Sequence, residues 1–403
     1  MSIFRPFDVL IPKKEYLPLW PVIACDQFTS QKAYWDGVRA AVGSAPSALN
    51  CILPEAELKE AGDDRFAAIR RAMTDYLAGD VFDRFPASFV YVERTLSDGG
   101  VRPGVVGVID LETYDYREKT TAAIRATEKT VVERIPPRMR VRRGAKLELS
   151  HVLLLCDDER KEIIEPLKDA AGEILYDLDL VGGGGHITGK RIAGAEAEAL
   201  LARLDAYEAR KKNELSGMLY AVGDGNHSLA TAKECYEELK RSGADPAAIV
   251  RARFAMVELE NIHDPSQKFE PIHRLITGVD AARFLACLEN AAGAPEGYPV
   301  PWVAGDREGV LYLDRNKGVL PVGILQTVLD GLLAREPGEI DYIHGAEDLK
   351  ELARRKDSLG FLLPAIGKGD FFRGIAADGV LPRKTFSMGE AREKRYYLEG
   401  REL

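Results

Sequence analysis

The chain is 403 residues long with 46% apolar residues, too long for one ordinary core and apolar enough to build two or three. Its 55 basic residues against 64 acidic ones leave a net charge of −9, which argues against a general nucleic-acid coat protein while permitting a local basic patch. No run approaches the roughly 18 apolar residues of a membrane span, and the N-terminus Met-Ser-Ile-Phe-Arg-Pro-Phe-Asp lacks the apolar stretch of a signal peptide.

The spacing of Phe66, Ile69, Met73 and Tyr76 predicts a helix over Asp64–Leu77, stopped by Gly79. Two β-rich runs follow, Ser88–Thr95 and Val105–Leu111, and the intervening Ser-Asp-Gly-Gly marks a hairpin. Arg134–Lys146, rich in arginine and carrying two prolines, reads as an exposed connection into a strand at Leu147–Leu155. A second hairpin spans Glu173–Leu180 and His186–Ile192 around four successive glycines, and Leu200, Leu201, Leu204 and Tyr207 place a helix after it. Met218–Val222 is a short apolar run, long enough for a buried strand. The turn Gly223-Asp224-Gly225-Asn226 follows, then a helical stripe of Leu229, Ala232, Tyr236 and Leu239. Phe254–Leu259 reads as the next strand, with others near Val310–Leu313 and Gly360–Leu363. The tail Gly379–Leu403 is rich in charge and aromatics, a composition that packs on a body more often than it hangs loose.

Five scattered cysteines without a Cys-x-x-Cys fit reduced thiols in a cytoplasmic protein, not a disulfide framework or a zinc site. The six histidines show no i, i+4 pair, so a metal-binding helix is not indicated. Cys25-Asp26 would suggest a nucleophile only if a base were located beside it. Gly184–Lys190 has the outline of a phosphate loop, but Arg191 stands where a Ser or Thr should hold magnesium. The flanking runs are hairpin strands, which makes the segment a β-turn. The strand–turn–helix at Met218–Leu239 is different. A glycine turn there leaves backbone N–H groups aimed at one point, where anions bind. His227 and Ser228 can donate to phosphate oxygens, and Asp224 can hold Mg²⁺ or a ribose hydroxyl; equally, Asn226 or Ser228 can simply cap the helix. Arg125-Ala126-Thr127-Glu128-Lys129-Thr130 sets a carboxylate among hydroxyls and cations, either a general base with phosphate-holding neighbours or a solvated helix face.

Asp224-Gly225-Asn226-His227-Ser228, Thr127-Glu128-Lys129-Thr130, Pro271-Ile272-His273-Arg274 and the tail from Gly379 to Tyr397 together carry a resemblance. They are similar to the Asp-Gly-His-His-Arg, His-Glu-x-Thr and Pro-x-His-Arg elements of the bacterial and archaeal family called domain of unknown function 1015, over nearly the whole chain. The turn also resembles that of the ParB/sulfiredoxin superfamily, where such a turn binds nucleotide phosphates and some members phosphorylate free serine. The resemblance implies a mixed α/β fold with a ParB/sulfiredoxin-like nucleotide-binding core over residues 145–275, between α/β parts at 1–144 and 276–403. It implies a nucleotide-dependent phosphotransferase, free serine kinase-like, acting on a small amino-acid-like substrate. No nucleic-acid or membrane partner is expected. In that scheme Gly223, Gly225 and His227 cradle the phosphates of ATP or ADP, Asp224 holds Mg²⁺, and Glu128 accepts the substrate hydroxyl proton. Asn226, Ser228, Arg125, His273 and Arg274 supply the remaining phosphate contacts. Asn226 and Ser228 stand where the family has a His and the Arg, which removes a bidentate phosphate clamp and requires another cation to replace it. A nucleotide- or amino-acid-sensing regulator, and a phosphoserine-type phosphatase, are the alternatives that share this anion site.

Overall fold

Strand Phe82–Thr95 pairs with Val101–Asp110 in antiparallel register, Val90 opposite Val106, as the glycine-rich turn between them predicts. Successive side chains of a strand point to opposite faces. Val90, Val92, Val106 and Val108 therefore enter one buried cluster, and Phe89, Tyr91, Val105 and Ile109 enter another. Both faces of this hairpin are core, and among the described residues a mixed sheet of thirteen strands grows around it. On one side lie Phe254–Asn261, Leu153–Cys156, Tyr220–Asp224 and Ile124–Ala126 in that order; on the other lie Phe7–Pro12, Gly400–Glu402 and Leu147–Leu149.

The computed structural model describes residues 2–403, the side chain of Met388 excepted, and the chain is mixed α/β throughout. Among the described residues no helix is long and apolar enough to cross a membrane. The chain forms two compact units. The first contains the large sheet and takes the chain up to Ala126, Thr130–Gln267 and Gly389–Leu403. The second, Thr127–Lys129 with Lys268–Met388, is a smaller sheet ordered Arg307–Leu313, Gly293–Ala304, Ser358–Phe361, Phe269–Thr277 and Glu339–His344. Strand pairing explains why boundaries near 144 and 275 are not the divisions seen. Phe254–Asn261 pairs with Val101–Asp110, and Gly400–Glu402 pairs with both Leu10 and Leu147–Leu149, so segments distant in sequence share one sheet.

Several local expectations change. Arg134–Lys146 is not an exposed loop: Ile135–Arg142 is helical, with prolines in its first turn, where no N–H is needed. Its Ile135 and Met139 are buried against Ala230 and Cys235 of the helix Asn226–Ser242. Leu147–Leu155 is two strands, Leu147–Leu149 and Leu153–Cys156, with Ser150-His151 crossing between them. Residues 125–130 are not a helix face, since Ile124–Ala126 is a buried strand parallel to Tyr220–Asp224.

The tail packs on the body as its composition suggests. Along Phe254–Asn261, Met256 belongs to the first core cluster, and Glu258 and Glu260 follow it at period two on the same face, both buried. Buried carboxylates need partners. Arg395 of the tail supplies one, reaching Glu258 and Glu399 at 2.7 Å each and donating to the Ser150 carbonyl. Arg102, on the adjacent strand, lies 2.9 Å from Glu260, whose other oxygen accepts from Gln267 at 2.6 Å. Gly104 opposite Glu260 must lack a side chain, because a Cβ there would fall 2.5 Å from the Glu258 carboxylate. The Arg94 guanidinium lies 4.8 Å from the Tyr396 ring centre and donates to the Arg392 carbonyl, closing the tail down. Replacing Arg395 by Met leaves two buried carboxylates without their cation, and the expected loss is about 3–5 kcal/mol of unfolding free energy in urea. A loss below about 1 kcal/mol would show that the network does not hold the tail.

Candidate functional site

Strand Tyr220–Asp224 runs inside the large sheet between Ile124–Ala126 and Leu153–Cys156, so its end is fixed on both sides. The helix Asn226–Ser242 starts at once, anchored by buried Leu229, Ala232 and Tyr236. Gly225 joins them as the helix N-cap, in the left-handed region at φ +77°. It also lies against the Ser150–Val152 crossing: a Cβ there would sit 3.0 Å from the Val152 Cα and 3.4 Å from His151 Cδ2. Neither Asn226 nor Ser228 is the N-cap, so the plain capping explanation for these residues does not hold, and the N-cap glycine brings no side chain of its own to the helix end.

The surround is charged. Asp224 Oδ1 accepts the Gly225 N–H at 2.8 Å, and Oδ2 lies 3.1 Å from Nζ of Lys394, a tail residue. His227 Nε2 accepts the Val131 N–H at 3.1 Å, which leaves the ring proton on Nδ1. Burial lowers the pKa of this histidine, and Arg138 and Arg134 lower it further, so the ring is neutral. Arg138 is itself held by Glu55 at 2.7 Å. His151 does the opposite. Burial works against its charge, but Asp26, 3.5 Å away, outweighs burial and raises its pKa. Asp26 in turn is held well below the usual carboxylate range: His151 outweighs the upward push of burial. His151 Nδ1 meets the Tyr397 hydroxyl at 2.7 Å, and that hydroxyl accepts the Cys25 N–H at 3.2 Å. The Cys25 thiol beside them is pushed up to about 12 by burial, which excludes a nucleophilic thiolate.

The expected site residues are distributed as follows. Asp224, Gly225, Asn226, His227 and Ser228 share the strand end and first helical turn. Gly223 is a packing residue, since a Cβ would press on the Leu155 side chain at 3.0 Å, and the Gly225 N–H is engaged by Asp224 instead of pointing to a ligand. Arg125 is a buried strut whose guanidinium donates to the Ala122 and Ser216 carbonyls at 2.9 and 2.8 Å. His273 and Arg274 lie on a strand of the second unit. His273 Nδ1 accepts the Leu363 N–H, and Arg274 spans Gln326 and the Ile272 and Lys384 carbonyls. Glu128 belongs to the second unit, where its backbone bridges to Leu381. His151 and Lys394 carry no sequence signal at this site: Cys25-Asp26 draws notice by itself, but the histidine that pairs with Asp26 lies 125 residues further on. Away from the turn, Asp157, Glu159 and His263 come close enough to hold a metal, but Lys211 Nζ already lies 2.7 Å from Asp157, so the cluster reads as an ion-pair network.

The chain matches the family model described as "Protein of unknown function (DUF1015)" over residues 4–356, and it belongs to that family. No curated protein matches it. Among solved structures, a mutant free serine kinase in complex with ADP is 12% identical with a TM-score of 0.39, covering 73% of this chain and 91% of its own. A conserved hypothetical protein from Pyrococcus furiosus is 13% identical with a TM-score of 0.33, covering 72% and 97%. SbnI from Staphylococcus aureus, with a C-terminal truncation, is 9% identical with a TM-score of 0.36, covering 70% and 82%. Likeness at this level carries no activity from those proteins to this one.

Glu260, which also feels Lys394, is pushed up to about 7 by burial, with Arg102 opposing and Glu258 adding to the shift. The folded chain thus keeps a proton that the unfolded chain releases near 4.5. Its contribution to stability is full below that value and is lost as pH rises through 7. Urea midpoints at about pH 5 and about pH 8 should therefore fall more steeply in the wild type than in Glu260→Gln; equal slopes would contradict the assignment.

Proposed function

We propose that the chain binds the phosphates of a nucleotide at the Gly225 turn and transfers a phosphoryl group to a small amino-acid-like acceptor. The observation that carries this reading is the helix end at Gly225, capped by no side chain of its N-cap residue and flanked by His227, Lys394 and the His151–Asp26 pair. The first N–H groups of a helix have no partner within it, and its dipole favours negative charge there. Phosphoryl transfer asks chiefly for positioning and charge neutralisation, which a rigid strand–turn–helix with cations around it supplies. The neutral His227 donates from Nδ1 without bringing charge, and Arg138 and Arg134 set a positive field beside it. The acceptor class is taken from the family resemblance; the site offered here is confined to the first unit and makes no use of Glu128.

Thermal melts with ADP or ATP test the reading. A ligand at a hundred times its Kd stabilises by about 2.7 kcal/mol, a readable shift. His227→Ala should keep the fold and weaken nucleotide binding about tenfold or more, consistent with one hydrogen bond to a charged group. Absence of any nucleotide shift in the wild type would overturn the proposal. Binding without turnover of serine would favour the sensing regulator, and release of phosphate from phosphoserine without nucleotide would favour the phosphatase.

A further inference from the structure

Ser228 stands where the family motif has its arginine, and Arg125 and Arg274, the obvious substitutes, are spent as struts. The cation that does stand at the turn comes from the other end of the chain. Lys394 Nζ lies 3.1 Å from Asp224 Oδ2, with both side chains mostly shielded, at 17% and 20% exposure. Its backbone is fixed on both sides. Before it, the Glu393 and Arg392 carbonyls accept from Arg102 and Arg94 at 3.1 Å each, and the Glu393 side chain accepts from Ser97. After it, the Arg395 carbonyl accepts the Ala24 N–H at 2.9 Å and its guanidinium locks onto Glu258 and Glu399. Tyr396 and Tyr397 then pair with Ile23 and Val22. A lysine held this way is placed as firmly as a residue of the sheet.

Asp224 does not fit the role of a resident magnesium ligand. Magnesium demands near-octahedral oxygen coordination. Asp224 gives one oxygen to its own turn and the other to an ammonium, and the one group of acids and histidine near enough to share an ion among the described residues lies elsewhere, at Asp157, Glu159 and His263. We infer that Lys394 is the cation that neutralises bound phosphate at the Gly225 turn, and that Asp224 holds this lysine instead of a metal ion. The inference rests on the phosphate-binding reading above. A strongly hydrated point charge such as a lysine ammonium moves between a carboxylate and a phosphate oxygen with little geometric demand. Asp224 orients it when the site is empty and yields it when phosphate arrives. The tail thus contributes a binding residue as well as a structural clamp.

The test is calorimetric titration of the full chain with ADP, in EDTA and in excess Mg²⁺, for the wild type, Lys394→Met, Lys394→Arg and Asp224→Asn. The wild type should bind ADP in EDTA about as tightly as with Mg²⁺. Lys394→Met should bind roughly tenfold to a hundredfold more weakly in both. It should also show a shallower dependence of log Kd on log salt, which a merely structural lysine would not produce. Lys394→Arg should recover most of the affinity. Asp224→Asn should weaken binding modestly and leave it independent of Mg²⁺; this variant decides the matter should Lys394→Met not fold. Wild-type binding that requires Mg²⁺ and vanishes in Asp224→Asn, or unchanged affinity in folded Lys394→Met, overturns the role of Lys394 while the phosphate site stands. No ADP binding by the wild type in either condition overturns the phosphate site and the inference with it.

Discussion

Two carboxylates, Glu258 and Glu260, sit at core positions of a central strand, where Met256 two residues earlier is fully buried in an apolar cluster. An unpaired charge in such a place costs several kcal/mol, so Glu258 needs a cation, and Glu260, with Arg102 beside it, holds its proton well above the usual carboxylate range. Arg102 comes from the neighbouring strand and Arg395 from the C-terminal tail. Gly104 makes room, and Tyr176 donates its hydroxyl to Glu399 on the far side of Arg395. The last fifteen residues thereby belong to the first unit, with Arg395–Arg401 buried in it: Arg395 is the counter-charge of its sheet.

The same clamp has a chemical consequence. Fixing Arg395 fixes its predecessor, and Lys394 is delivered to Asp224 at the end of strand Tyr220–Asp224. In the crossing between Leu147–Leu149 and Leu153–Cys156, His151 is pinned by Asp26 and Tyr397, again one partner from the N-terminal region and one from the tail. The anion site proposed above is thus a rigid glycine turn with His227 on one side and two ion pairs, Lys394 with Asp224 and His151 with Asp26, on the other. Membership of the DUF1015 family agrees with the motif but states no chemistry, so the charge arrangement carries the functional reading.

Much of the local structure was legible because its signals are local. Hairpin Phe82–Asp110, hairpin Ile174–Ile192, the helix Asp63–Ala78 and the strand–turn–helix around Gly225 all follow from period-two or period-3.6 patterning and glycine placement. The misreadings have physical causes. The arginines of Ile135–Arg142 masked a short helix held by few apolar side chains, Ile135 and Met139 in one cluster and Val141 against another. Leu147–Leu155 looked like one strand because both halves are apolar, although they serve opposite regions of the sheet. Arg125 and Arg274 looked like phosphate clamps because a guanidinium that satisfies backbone carbonyls and one that awaits a ligand are identical in sequence.

By itself the sequence determined most element types, the mixed α/β class and the position of the turn, since each depends on residues within a few positions of one another, and its several short motifs together determined the family. Tertiary structure decided the rest. It merged the ends and the middle of the chain into one sheet, because strand pairing depends on register and burial between segments hundreds of residues apart. It chose which charged groups are struts and which face the turn, because the cost of burying a charge is settled by its partners in space and leaves no mark on the residues beside it in sequence.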